Sequence, residues 1–352
     1  MNIISPINTL GYGVAGLNIT KHLNKHRAVS LWPIGQPQVT TQEDADLVSS
    51  CINNAQLFER EDPCLRIWHQ HDMSQFVGRG EHIGFPIFEL DEFAPQERHH
   101  LNSVDRLFVC SEWAKEVCTT NNIKPAVDVV PLGVDSKLFK PCEPSTNEKT
   151  IFFNCGKWEI RKGHDILYKI FNKAFDTNDN VELWMMTSNP FMTPEEDQQW
   201  KKLYLDSKLG DKIRFIDRVN THQEVYNIMA KTDCGIFPSR AEGWNLELLE
   251  MMSCNKPVIA TKCSAHSSFC NSKNSYLVEA PEKELAYDGK WFHGRIGSWA
   301  KMQTKQIDEF AECMRAVYKN KDRSNQNGVE TAKKFSWENS ANTIRGILYG
   351  RE

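Results

Sequence analysis

"PSRAEGWNLELLEMMSC", residues 238–254, holds the change of backbone that decides the fold. The run before it, "CGIFPS", reads as a short buried strand that ends at Pro238. After Glu242 and Gly243 the apolar residues switch to helical spacing, so a helix is expected from about Asn245. The first N–H groups of a helix have no partner inside it. Those of Gly243, Trp244 and Asn245 therefore suit phosphate or sugar oxygens, and Gly243 lets a ligand approach the backbone closely. Glu250 lies five residues into the helix, roughly 7–8 Å along an axis that rises 1.5 Å per residue. That is about the span from a diphosphate to the ribose of one nucleotide. Glu242 is thus placed for sugar hydroxyls and Glu250 for ribose hydroxyls. Taken singly, Glu250 also fits a solvated helix face, and Glu242 an acidic residue favoured at a helix N-terminus.

The same alternation runs outward in both directions. "TIFFNCG" (150–156), "VELWMMTS", "KIRFID" and "KPVIAT" read as strands, with "HDILYKIFNKAF" and "HQEVYNIMAKT" as helices between them. The first half reads likewise: strands "NIIS", "AVSLWPI", "LRIWHQHD", "DRLFVCS" and "AVDVVPLG", helices "VAGLNITKHLNK" (14–25) and "EWAKEVCTTNN". "KPCEPSTNEK" has two prolines and no large apolar residue, and reads as a linker. The expected architecture is α/β: two doubly wound Rossmann-like domains facing a cleft, residues 1–140 and 150–330, a linker at 141–149 and a helical tail at 331–352 that packs back on the first domain. In that tail Trp337, Ala341, Ile344 and Leu348 share a face, with Ser336 as N-cap.

Two further stretches carry chemistry. "NCGKWEIRKGHD" (154–165) gathers Lys157, Arg161 and Lys162 at a strand-to-helix junction. Three cations there suit a departing diphosphate; a basic surface loop is the plainer alternative. "GYGVAG" (Gly11 to Gly16) matches the dinucleotide-binding fingerprint. Pro6 and the rest of "PINTL" separate it from its strand, however, and the second strand offers Trp32 and Pro33 where an acidic ribose ligand should stand. NAD binding, and with it an NAD-dependent oxidoreductase, is disfavoured. The loop remains either a place of close ligand approach or simple turn geometry.

The chain has 352 residues, enough for two domains. A formal net charge of −4 excludes a chain that is basic overall. No apolar run reaches the length of a membrane span. "MNIISPINTL" lacks the regions of a signal peptide, so the 11 scattered cysteines are expected as reduced thiols in a cytoplasmic protein.

Together, Gly156–Lys157 and Lys162–Gly163, the two glutamates Glu242 and Glu250 with seven residues between them, and "VVPLGVDSKLFKP" (129–141) resemble the retaining glycosyltransferases of family four, of GT-B fold. The group includes glycogen-synthase-like and phosphatidylinositol-mannosyltransferase-like enzymes, and compact members occur in phage genomes. The resemblance implies a nucleotide-sugar donor such as a UDP- or GDP-sugar, a retaining transfer to an acceptor hydroxyl, no cofactor and no metal. It implies diphosphate contacts from Lys157, where the family usually has Arg, and from Lys162, with Arg161 sharing the load. Glu242 would face the donor sugar, Glu250 the ribose, and Gly11 and Gly13 the phosphates and acceptor. His71 matches the family's cleft histidine, with His69 a second candidate on the same strand face. His71, Glu242 and Lys162 are thus the expected catalytic set. "DAD" (44–46) follows no strand and reads as a helix start rather than a metal-binding triplet.

The sequence departs from the family at "KCSAHSSFC", where a Gly-Gly turn and an acidic residue are usual, and donor identity is open there. Cys263, His266 and Cys270 have ligand-like spacing, but no second pair accompanies them. The acceptor is a glycan, a lipid or, as an alternative in phage, a hydroxymethylated pyrimidine of DNA in the host cytoplasm. "KHLNKHR" (21–27) is a basic helix end that suits an anionic surface or a solvated face. In the stretch 287–302 Trp291, Phe292 and Trp299 alternate with Lys290, Arg295 and Lys301, a pattern that stacks sugars or bases, or pins a loop to the core. A GT-B protein that binds sugar without turnover is the remaining reading.

Overall fold

The computed structural model describes residues 1–143, 148–320 and 322–350. The chain forms two compact units: Met1–Gly133 with the stretch from Phe335 onward, and Val134–Lys334. Residues 144–147 of the expected linker lie outside the described residues.

The first unit runs β1 (Asn2–Ser5), α1 (Gly11–Asn24), β2 (Ser30–Pro33), α2 (Gln42–Asn54), β3 (Cys64–Ile67), β4 (His82–Phe85), α3 (Pro95–Leu101), β5 (Arg106–Val109), α4 (Glu112–Thr120) and β6 (Ala126–Val129). Its six strands are parallel, in the order β2-β1-β3-β4-β5-β6. β1, β3 and β4 are buried along their whole length, as strands covered on both faces must be.

The second unit runs β7 (Thr150–Gly156), α5 (His164–Ala174), β8 (Val181–Thr187), α6 (Pro194–Leu205), β9 (Ile213–Phe215), α7 (His222–Ala230), β10 (Cys234–Phe237), α8 (Leu246–Ser253), β11 (Val258–Lys262) and β12 (Tyr276–Glu279). An antiparallel hairpin follows, β13 (Lys283–Tyr287) and β14 (His293–Ala300), then α9 (Thr304–Lys319) and α10 (Gln326–Lys334). The parallel sheet has the order β12-β11-β10-β7-β8-β9. Ile166, Leu167, Ile170, Phe171 and Ala174 line the buried face of α5 at helical spacing, against Phe152 and Leu183 of the sheet.

The chain then returns to the first unit as α11 (Trp337–Tyr349), which packs on α1. Ser336 caps it, accepting the N–H of Asn339 at 3.1 Å, and Ser340 Oγ donates to Pro131 O at 2.6 Å. The boundary between units falls at Gly133, ahead of residue 140. Residues just after it are tied to α8: Ser253 Oγ donates to Phe139 O, and Cys142 N–H to Cys254 O at 3.3 Å.

Two local expectations change. "GYGVAG" is the opening of α1 itself, which starts at Gly11 and not at residue 14. A methyl group at Gly16 would fall on Ser5 Oγ and Pro6 O, and one at Gly13 on Asn8. Those two glycines let the helix lie directly on the end of β1; Gly11 has open space around it. Gly16→Ala should therefore destabilise the first unit by about 1–3 kcal/mol through overpacking, read by urea denaturation, with Gly11→Ala as the matched control. Equal midpoints for the two variants would refute this packing role. The other change concerns 287–302, which is mostly hairpin rather than loop.

Candidate active site

In the second sheet, β8 and β9 extend one side of β7, while β10, β11 and β12 extend the other. The strand order reverses between β7 and β10. Ligand crevices of doubly wound sheets open beyond the carboxyl ends of strands at such a switch point. The segments leaving those ends are the cationic loop from Gly156 to Gly163 and the segment from Pro238 to Asn245. They face one another: Arg240 N–H donates to Arg161 O at 2.6 Å, and Arg161 Nη1 to Ala241 O at 2.8 Å. Arg240 also grips Asp165, in the first turn of α5, with both terminal nitrogens, at 2.8 and 2.9 Å. Gly163, left-handed at φ 76°, closes the loop against Pro238 O, where any side chain would collide.

The centre of the crevice is a chain of ion pairs. Arg161 Nη1 meets Glu242 Oε2 at 2.9 Å, and Arg161 Nη2 meets Glu159 Oε2 at 2.6 Å. Lys162 meets Glu242 Oε1 at 3.1 Å, Lys157 meets Glu159 Oε1 at 3.0 Å, and Ser239 Oγ donates to Glu242 Oε1 at 2.8 Å. Glu242 is only 4 % exposed. Burial alone would raise its carboxyl, yet Lys162 and Arg161 outweigh that and hold it well below the ordinary range. Glu159 is likewise lowered, its burial outweighed by Arg161 and Lys157. Burial works against the charge of Lys162, but Glu242 and Glu247 raise it. All of these groups are charged at neutral pH.

Two expected roles shift accordingly. Arg161 is buried and its guanidinium is spent on Glu159, Glu242 and Ala241 O, so it is a positioning residue rather than an open phosphate grip. The carboxylate of Glu242 is committed to Arg161, Lys162 and Ser239 rather than free for sugar hydroxyls. Lys157, half-exposed on its long stem, is the cation left with freedom to reach a ligand.

The entry to α8 is fixed by Asn245, left-handed at φ 83° and its N-cap, whose Oδ1 accepts the N–H of Leu248 at 3.1 Å. Asparagine tolerates that backbone region better than most residues. Its Nδ2 donates to His266 Nε2 at 2.9 Å, which puts the proton of His266 on Nδ1, facing Thr261 O at 2.8 Å. Both ring nitrogens of His266 are thus used within the fold. The main chain of Glu242 is pinned from the same side: its N–H donates to Ser264 Oγ at 2.8 Å, and Ala265 N–H to its carbonyl at 3.2 Å. Trp244 packs its buried ring on Phe269, with centroids 5.0 Å apart.

Glu250, on α8, is half-buried, and burial together with Glu247 pushes its carboxyl up to about 8. Glu247 belongs to the same corner. A methyl group at Gly156 would lie 3.5 Å from Glu247 Oε1 and 3.3 Å from Lys162 Cε. Glu159, Glu247, Ser239 and Ser264 were not singled out from the sequence. The signal for Glu159 was present, an acid among three cations in "KWEIRK", because cations held close together need counter-charge.

In the first unit the order reverses between β1 and β3, and the segments after them carry the remaining candidates. β3 ends at Ile67, so His69 and His71 lie in the following turn rather than on a strand face. The turn is closed by Arg66, whose Nε and Nη2 donate to Asp72 O and Oδ2 at 2.8 and 2.7 Å. The two imidazoles stack at 5.2 Å, and Tyr12 lies 4.7 Å from His69. Tyr12 is held by Ile87, donating to its carbonyl at 2.6 Å and accepting its N–H at 3.0 Å. The basic end at 21–27 is partly neutralised: Lys21 pairs with Asp44 at 3.0 Å, and Arg27 with Asp62. Asp44 belongs to α2, as expected of "DAD". No helix among the described residues is long and apolar enough to cross a membrane.

Comparison with known proteins bears on the family and the fold. Residues 148–288 match the family model "Glycosyl transferases group 1". A phosphatidylinositol N-acetylglucosaminyltransferase GPI3 subunit of Saccharomyces cerevisiae is 23 % identical over 171 residues, 46 % of this chain and 36 % of that protein. An MMP alpha-(1->4)-mannosyltransferase of Mycolicibacterium hassiacum is 26 % identical over 160 residues, 45 % of this chain and 37 % of that one. The match thus spans little more than a third of these relatives' length. Sucrose-phosphate synthase from Thermosynechococcus elongatus superposes with a TM-score of 0.69 at 15 % identity, covering 99 % of this chain and 97 % of that one. Anabaena HepE in complex with UDP and glucose gives 0.68 at 13 %, covering 99 % of both. Over residues 148–288 the second unit thus resembles the group 1 glycosyltransferases, and the chain has the GT-B fold.

Proposed function

We propose that this protein is a retaining glycosyltransferase that moves a sugar from a nucleoside diphospho-sugar, bound on the second unit, to an acceptor hydroxyl. The observation that carries the reading is the meeting of the cationic loop after β7 with the segment entering α8 at the sheet's switch point, with Glu250 one turn further along the helix. UDP in the structurally similar HepE complex supports the donor class.

In this reading Lys157 and Lys162 contact the diphosphate and offset its charge as it leaves. Glu242, Glu159 and Arg161 hold those cations in place, and Glu250 receives the ribose hydroxyls. The sugar C1–O bond to the phosphate breaks while the acceptor oxygen bonds C1 from the same face. The acceptor proton passes to the leaving phosphate, so no protein nucleophile takes part. The cations supply the charge a metal would otherwise supply, and glycan or lipid hydroxyls are the acceptor class. His71 is assigned to the acceptor side on the resemblance alone.

A thermal-shift panel tests the donor assignment. UDP or GDP at about 100 times Kd should add about 2.7 kcal/mol of stability, while NAD adds none. Stabilisation by NAD alone would refute the reading. A mass-spectrometric screen of UDP- and GDP-sugars against glycan and lipid acceptors then identifies the product, and the anomeric coupling of that product checks retention.

A further inference from the structure

The hairpin β13–β14 presents an aromatic surface that the donor site does not use. Trp291 at its tip is 48 % exposed and Phe191, in the segment before α6, is 55 % exposed, and the two rings meet edge to face at 5.8 Å. Large apolar rings left in water call for a partner when they are grouped and held in place. These are held. Asp288 Oδ1 accepts three successive backbone N–H groups, those of Lys290, Trp291 and Phe292, at 2.9, 2.7 and 2.8 Å. Gly289 turns the chain at φ 74°, and Lys290 Nζ grips both oxygens of Glu196, at 2.8 and 2.9 Å. The turn thus fixes Trp291 outward instead of folding it into the core.

Behind this rim is a groove of about 590 Å³ lined by Trp200, whose ring is backed by the fully buried Trp158, stacked on it at 5.4 Å. The volume falls in the range of about 300–1,000 Å³ usual for small-molecule sites. Its charged lining is Glu159, already paired with Lys157 and Arg161, Glu196, paired with Lys290, and Asp288, whose Oδ1 holds the turn. The cation of that lining is engaged by Glu196, which leaves it no open grip for a phosphate backbone. Exposed rings beside the side-chain amide of Gln199 and the carboxylate of Asp288 instead match a neutral pyranose, with an apolar C–H face and a rim of hydroxyls. Glu159 joins the groove to the ion-pair chain through Lys157 and Arg161, so the groove shares a wall with the candidate active site.

We propose that this groove binds a neutral oligosaccharide, with Trp291 and Phe191 as its stacking platform. The rings and their supports are already in place, so little ordering is needed on binding. Binding requires no turnover and stands apart from the transfer reading.

The test titrates the full-length protein with maltoheptaose, mannohexaose and chitohexaose, and with the single strand dT12 for comparison, following tryptophan emission. A saturable response to at least one neutral oligosaccharide is expected, weakened at least tenfold in Trp291→Ala and in Phe191→Ala, with the response to UDP in thermal shift unchanged in Trp291→Ala; Phe191, whose ring lies 5.7 Å from Lys157 Nζ, is read by sugar binding alone. No saturable response to any of the three sugars, equal affinity in both variants, or tighter binding of dT12 would each overturn the proposal. Phe191→Ala leaves the hairpin untouched and keeps the test valid if Trp291→Ala disturbs the turn. Sugar binding without any UDP or GDP shift would sink the transfer reading and leave the groove standing.

Discussion

Glu242→Ala is expected to cost about 3–5 kcal/mol of stability, because removing one partner of a buried ion pair leaves uncompensated charge behind. Here two cations are stranded at once: Arg161 and Lys162 both meet the Glu242 carboxylate. At roughly 2–4 °C of midpoint per kcal/mol for a unit of this size, the melting temperature should fall on the order of 10 °C. Glu242→Gln keeps the shape but not the charge, and should fall between the two. The pH dependence has a definite sign. The folded carboxyl is held below its unfolded value, so its contribution is complete above about pH 4.3 and disappears only as the pH falls through the lowered folded value. The difference between the wild type and Glu242→Ala should therefore be constant from pH 5 to 8 and shrink in acid. An unchanged melting temperature for Glu242→Ala would show that the ion-pair chain is not what holds the two loops together.

Glu250 should show the opposite behaviour. Its carboxyl is raised to about 8 by burial and by Glu247. Below its unfolded value the group is protonated in both states and contributes nothing. As the pH rises past that value the unfolded chain releases the proton while the folded one keeps it, so folding becomes less favourable until about pH 8, and the penalty then stays constant. Glu250→Gln should match the wild type at about pH 3, below the unfolded value of about 4.3, and be the more stable protein above pH 7. The same variant should bind UDP on the order of 10–100-fold more weakly, since a hydrogen bond to a charged group contributes about 1.5–3 kcal/mol. Ribose hydroxyls donating to the carboxylate favour its ionised form. UDP binding to the wild type at pH 7.5 should thus release protons, and its calorimetric enthalpy should vary with the ionisation enthalpy of the buffer. The variant should show no such dependence. A buffer-independent wild-type enthalpy, or equal UDP affinity in the two proteins, would remove Glu250 from the ribose site.

Much of the candidate site in the second unit was legible in the chain because its elements are local. "TIFFNCG" coincides with β7, and the turn from Pro238 into α8 depends on one glycine and one capping asparagine within a few residues. Hairpin β13–β14 was not legible: its strands carry glycines at left-handed positions 294 and 297 and charged residues throughout, so the alternation that marks a strand is blurred. The histidines after β3 were misplaced by a related error. "LRIWHQHD" alternates like a strand to its end, but a turn held by Asp72 N–H donating to His69 O and by Arg66 on Asp72 takes the chain out of the sheet after Ile67.

By itself the sequence determined enough of the alternation of strands and helices to give the doubly wound class, since hydrophobic spacing and turn residues act over a few positions, but it did not mark β4, β12, the hairpin or helices α3, α6, α9 and α10. It also determined which residues stand at the strand ends. Tertiary structure alone decided what those residues do. Lys157, Arg161 and Lys162 look alike in a string of letters, yet one reaches outward, one is locked between two buried glutamates and one shares a carboxylate with it. Which charge is spent inside the fold and which is left for a ligand depends on partners some 80 positions away in the chain, and only packing of the sheet brings those partners within 3 Å or so of each other.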